Sequence, residues 1–170
     1  AEPAGRVIVD TSRAADSRQA ILAAAAESRP LSDLSWARLT RWRASLAQMF
    51  EDPDRRRRIP RLTGLTIDYA GTAQPPATAF LLAGWLVSSL GWPEPPNGRL
   101  SFVQREAGSS RLTAVELRSD SEIALQMTTD GSREPPSDFS LLSEELRIHA
   151  PDPIFQRSLQ AAARIAETQP

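Results

Sequence analysis

The 170-residue sequence predicts an α/β domain, bordering on α+β. The expected architecture is a mixed sheet with a βαβ-like N-terminal half, an antiparallel meander, helices packed on the sheet, and a C-terminal helix. Three observations carry this. A continuous apolar run, Val7 to Val9, is followed by an alanine-rich helical stretch. Between Leu100 and Thr128, three short runs alternate in polarity and are separated by Gly/Ser-rich and Ser/Asp-rich turns. Elsewhere apolar residues recur with the helical period from Asp33 to Phe50, and the stretch after Pro76 is a long helical run apolar on nearly every side.

Val7 to Val9 ends at Asp10 and reads as a strand covered on both faces. Thr11 to Ala15 is a polar connection, and Ser17 to Glu27 is a helix that Pro30 keeps from continuing. In Asp33 to Phe50, the residues Trp36, Leu39, Trp42, Leu46, Met49 and Phe50 share one broad stripe. Asp33 and Thr40 are both N-cap residue types, so two helical pieces are expected, broken at Thr40, with the second running from Arg41 to Phe50. Trp42, Leu46, Met49 and Phe50 are expected in the core. Arg43 falls inside that stripe and requires a snorkelling path, a carboxylate or a partner molecule. Asp10 and Asp68 are the acids expected to hold it in a buried or half-buried ion pair.

Asp52-Pro53 ends the second piece, and Arg55 to Arg58 form a charged turn. Leu65, Ile67 and Tyr69 alternate with Thr66 and Asp68 as in a strand. The stretch TAFLLAGWLVSSLGW is apolar on nearly every side, so its helix is buried between layers or against a partner, with Gly91 as its C-terminal cap. Leu100 to Glu106, Leu112 to Arg118 and Glu122 to Thr128 are the meander strands, Val115 and Leu117 facing one way and Glu116 and Arg118 the other. A loop from Asp130 to Asp138 leads into a helix from Ser140 to Ile148. Asp152 and Pro153 open a final helix, Ile154 to Glu167. All of this fits one domain, residues 1–170. The opening AEPAGRVIVD lacks a methionine and enters a strand almost at once, so the chain is expected to be the C-terminal domain of a longer protein.

Composition narrows the chemistry. All 20 basic residues are arginine, and cysteine is absent. Thiol nucleophiles, Schiff bases, cysteine metal sites and a P-loop lysine are therefore excluded within this chain. With a single histidine, His149, no His-rich metal site can be built, and His149 itself reads as a surface or capping residue. The net charge of −1 exerts no overall pull toward nucleic acid or anionic membranes. The longest apolar run, Ala79 to Val87, is about half of what a bilayer span needs. No catalytic constellation, cofactor motif or metal set is expected. Asp10 sits where α/β sheets place ligands, but TSRAAD follows it rather than a glycine-rich loop. Trp and Arg are enriched at protein–protein hot spots, which singles out Trp36, Arg38, Arg41 and Trp92 as an expected partner interface.

RVIVDTSR, DLSWARLTRWRASLAQMF, FLLAGWLVSSLGW and DPIFQRSLQAAARIA, in this order and spacing, resemble the C-terminal domain of the glucose-6-phosphate dehydrogenase assembly protein (OpcA) family. The resemblance touches most of the chain and is weakest in the meander. It implies a non-catalytic, cytoplasmic bacterial protein that binds glucose-6-phosphate dehydrogenase, stabilises its active oligomer and raises flux into the oxidative pentose phosphate pathway. Two departures stand out. The family often has proline where this chain has Arg41, and thiol redox control associated with some members cannot reside in a domain without cysteine. The alternative expectation, from the residues alone, is a sugar phosphate or nucleotide sensor with an anion site near Asp10 and Arg55 to Arg58.

Overall fold

The computed structural model describes residues 5–94, 96, 98–120, 122–129, 135–148 and 150–169. It has the expected α/β character, with parallel and antiparallel strand pairs. β1 (Val7–Val9), α1 (Ser17–Ala25) and β2 (Leu31–Asp33) form a βαβ unit in which Val7 pairs with Leu31 and Val9 with Asp33. Asp16 caps α1 by accepting from the Gln19 amide. β2 has no counterpart in the sequence reading, because three residues after a proline carry no periodicity. Its pairing is wholly non-local.

The second sheet consists of β3 (Gly64–Ala70), β4 (Leu100–Glu106), β5 (Arg111–Ser119) and β6 (Glu122–Thr128), in the order β4-β3-β5-β6. This redraws the expected meander. Only β5 and β6 form the consecutive antiparallel hairpin, while β4 lies parallel to β3 on its other side. A long crossover permits that parallel pairing, and alternation within β4 marks a strand without naming its neighbour. The crossover contains α5 (Ala77–Leu90), which ends at Gly91 in the left-handed conformation (φ 66°), as expected of a C-terminal cap.

Between β2 and β3 lie α2 (Leu34–Arg38), α3 (Thr40–Met49) and α4 (Pro53–Arg58). The break between α2 and α3 falls at Leu39, one residue before the expected position. Thr40 does not cap α3, because its hydroxyl donates back to the Ala37 carbonyl at 2.8 Å. Leu46 is fully buried, and Trp42, Met49 and Phe50 are half-buried against the core. Arg55 to Arg58 are helical rather than a turn, since Pro53 starts α4 and Asp52 accepts from the Asp54 amide at 2.8 Å. After β6 come α6 (Asp138–Arg147) and α7 (Pro153–Thr168), both close to the expected bounds. Asp152 caps α7 through the Ile154 and Phe155 amides. Residues 130–134 of the expected loop and His149 lie outside the described residues.

α5 is the middle layer. Leu65, Ile67, Val115 and Leu117 present the dry face of the sheet to it, with Phe80 of α5 5.2 Å from the Phe102 ring. On its other side lies α7, with Leu159, Ala162, Ile165 and Ala166 in the core. The two helices meet at Gly84, where an added Cβ would lie 2.2 Å from the Ser158 carbonyl oxygen and 2.7 Å from the Ala162 nitrogen. Both obstacles are backbone atoms of a hydrogen-bonded helix and cannot swing aside. Gly84→Ala is therefore expected to lose about 3 kcal/mol of stability, read as a lower midpoint in urea unfolding.

Candidate interaction surface

Asp10 follows β1 and accepts from the Ser12 amide at 3.2 Å. At the end of neighbouring β2, Asp33 is buried and accepts from the Thr11 amide (3.2 Å), the Thr11 hydroxyl (2.6 Å) and the Ser35 amide (2.9 Å). Burial pushes the Asp33 carboxyl above its ordinary pKa, against the lowering effect of Thr11 and Ser35. Arg38, in the last turn of α2, grips Asp10 with both ends of its guanidinium, at 2.7 and 2.9 Å. The same group donates to Asp138 at the start of α6, at 2.7 Å. Burial would raise the Asp10 carboxyl, but hydrogen bonds from Arg38 and Ser12 outweigh it and hold the pKa down at about 2.

Asp138 also pairs with Arg13, and Arg6 donates to the Glu145 carbonyl. Arg6 precedes β1 and Arg13 follows it, so the two ends of α6 are reached from the two ends of β1 in reverse order, while the helix itself packs against α2. Polar contacts thus clip α6 to the body at both ends. Of its side chains only Leu141 is buried. Phe139 is 80 % exposed and Leu146 61 %, with Leu142 exposed between them at helical spacing. Ile148, just past the end of α6, and Ile154, at the start of α7, are also exposed. α6 thus exposes most of its apolar side chains, and an exposed apolar surface of this kind is a candidate for interaction.

The residues expected at a partner interface are placed differently. Trp36 is 5 % exposed, donates from Nε1 to Asp152 Oδ2 at 3.0 Å and lies 5.5 Å from the Phe155 ring. Trp92 is 9 % exposed, with the Arg99 guanidinium 5.5 Å from its ring. Both tryptophans are core residues, because the tertiary fold supplies each with a packed site. Arg38 is engaged by Asp10 and Asp138, and of the four only Arg41 is exposed.

The expected ion pair of Arg43 is also replaced. Asp10 is held by Arg38, and Asp68 accepts from Arg105 Nε at 2.7 Å. The Arg43 guanidinium instead stacks 3.7 Å from the centre of the Trp36 ring, a cation–π contact that a search for carboxylates misses. Among the described residues Arg43 has no ion pair, and its buried Nε has no acceptor. Burial lowers its pKa, with the Asp152 charge opposing.

The expected anion site does not assemble either. Arg57 pairs with Asp54, and Arg56 donates to the Phe50 carbonyl at 3.3 Å, while no hydrogen bond or ion pair among the described residues joins this helix to Asp10. A cleft of about 440 Å³ does lie beside Arg38 and Asp138, lined also by Trp42, Thr78 and Arg111. Its cations are already paired, Arg111 with Glu106 at 2.8 Å and Arg38 with its two aspartates. Among the described residues no cluster of His, Asp or Glu could hold a metal ion, and no helix is long and apolar enough to cross a membrane.

Residues 29–159 match the family model described as the C-terminal domain of a glucose-6-phosphate dehydrogenase subunit. Three relatives carry the provisional name OxPP cycle protein OpcA. The one from Nostoc punctiforme is 34 % identical over 93 residues, covering 55 % of this chain and 18 % of the relative. The one from Synechococcus elongatus is 32 % identical over 101 residues, covering 59 % and 21 %. The one from Synechocystis is 34 % identical over 62 residues, covering 36 % and 13 %. The chain thus spans about a fifth of the length of the first two relatives.

Because the folded pKa of Asp10 lies below its unfolded value, its stabilisation is complete above about pH 4 and disappears as pH falls through about 2. Asp10→Asn is expected to cost about 1 kcal/mol at pH 7, a solvent-screened figure, and the gap to the parent should close in acid. Urea unfolding of both proteins at stepped pH measures it.

Proposed function

Since this chain belongs to the OpcA-type family whose model describes the C-terminal domain of a glucose-6-phosphate dehydrogenase subunit, we propose that it is a non-catalytic binding module for that enzyme, acting in the cytoplasm. The match over residues 29–159 is the observation that carries this reading. In this reading the module stabilises the enzyme's active oligomer. A protein without chemistry of its own raises activity only by binding the competent form more tightly than the inactive one. The shift it produces is bounded by that difference in affinity.

The arrangement of charge is consistent with a binding role. Arg38, Asp10, Asp33 and Asp138 are engaged with one another or with neighbouring hydroxyls and amides, in a network that fixes elements in place. What stays free is apolar surface on α6.

Adding the natural full-length protein to its cognate dehydrogenase is expected to shift the enzyme toward its larger, active assembly and to raise its rate at subsaturating substrate. Light scattering and a dehydrogenase assay on the same samples read the two effects. An enzyme unchanged in both mass and rate at saturating partner would overturn the proposal.

A further inference from the structure

α6 shows most of its apolar side chains to solvent while charge ties its two ends to the body. Asp138 meets Arg13 and Arg38, and the Glu145 carbonyl meets Arg6, so arginines flanking β1 and ending α2 tie down both ends of the helix, with Leu141 turned inward between them. Phe139, Leu142 and Leu146 are left as an outward ridge, and Ile154 in the first turn of α7 is exposed as well. A cation lies close to Ile154. Arg43 stacks on Trp36, Trp36 bonds to Asp152, and Asp152 caps the turn that carries Ile154, its Oδ1 2.9 Å from the Ile154 amide. Beyond a 3.4 Å contact to the Thr40 hydroxyl, the Arg43 guanidinium makes no hydrogen bond to the described residues. Asp152, the nearest acid, already accepts from Trp36, Ile154 and Phe155.

We propose that this ridge is the docking element for glucose-6-phosphate dehydrogenase, received in an apolar groove of the enzyme whose rim carries a carboxylate that pairs with Arg43. The inference rests on the functional reading above and adds to it the surface and the chemistry of the partner. A helix laid into a groove places anchors at the spacing of Phe139, Leu142 and Leu146. Arg43, half-buried and pre-stacked on an aromatic ring, loses little freedom on meeting a carboxylate, so it selects a partner by charge as well as by shape.

The test uses the natural full-length protein and its cognate dehydrogenase, with affinity measured by interferometry and each protein's mass and melting temperature measured alone. Phe139→Ser combined with Leu146→Ser is expected to weaken binding by at least about tenfold, with melting temperature unchanged because both side chains are exposed. Arg43→Gln is expected to weaken it severalfold, and Arg43→Lys to restore part of the loss, since charge is kept and the planar fork is not. Undiminished affinity of the stable double variant overturns the docking surface while leaving the functional reading intact. A parent protein that fails to bind the enzyme overturns both. A parent that self-associates and becomes monomeric in the double variant would show a second copy on the ridge. A double variant that melts lower would show the ridge covered by the rest of its own chain. Either result overturns the proposal.

Discussion

The architecture depends on how closely α5 and α7 approach. Gly84 leaves no side chain between the helices, so the Ser158 carbonyl and the Ala162 amide fill the space a Cβ would occupy. Ser158, Ala162 and Ala166, at helical spacing on one side of α7, keep that side equally low. This contact makes α5 a true middle layer, which is why the helix is apolar all round and lacks the polar stripe of a surface helix. The sheet packs on one side of it and α7 on the other. Asp152 then fixes where α7 begins, capping the helix and receiving the Trp36 indole at once.

Around that core, arginine provides the tertiary fastening. Arg38 joins the end of β1 to the first turn of α6 across two aspartates, and Arg6 and Arg13 reach the same helix from either end of β1. Exposed ion pairs contribute little individually, but a bidentate pair sharing a carboxylate network is geometrically specific. That specificity has a consequence for surface chemistry. Held at both ends, α6 turns Leu141 inward and leaves Phe139, Leu142 and Leu146 outward. The network also explains why the cleft beside Arg38 offers no free cation to an anionic ligand, since each guanidinium there already faces a carboxylate of this chain.

The candidate surface is only partly legible in the sequence. Trp36 and Trp92 carry the residue type of a hot spot, but residue type does not reveal whether a packed cavity awaits the ring, and here one does. Arg43 stands out in the string as an arginine in an apolar stripe, yet its partner is an aromatic face one helix earlier rather than Asp10 or Asp68. The spacing of Phe139, Leu142 and Leu146 is equally visible, but periodicity assigns residues to one side of a helix without stating whether that side faces in or out. Leu141, one position away from Leu142, is the residue that turns inward.

By itself the sequence determined the local elements and the class. Apolar periodicity, caps such as Asp16, Asp52 and Asp152, and the stop at Gly91 act over a few residues and can be read over a few residues. It also determined the family, because the tryptophan- and arginine-rich blocks are distinctive strings. Tertiary structure alone decided that β3 inserts between β4 and β5, that Leu31 to Asp33 pairs with β1, and that α6 faces outward. Each of these results from a competition among distant segments for one sheet edge or one set of aspartates, and no window along the chain contains both competitors.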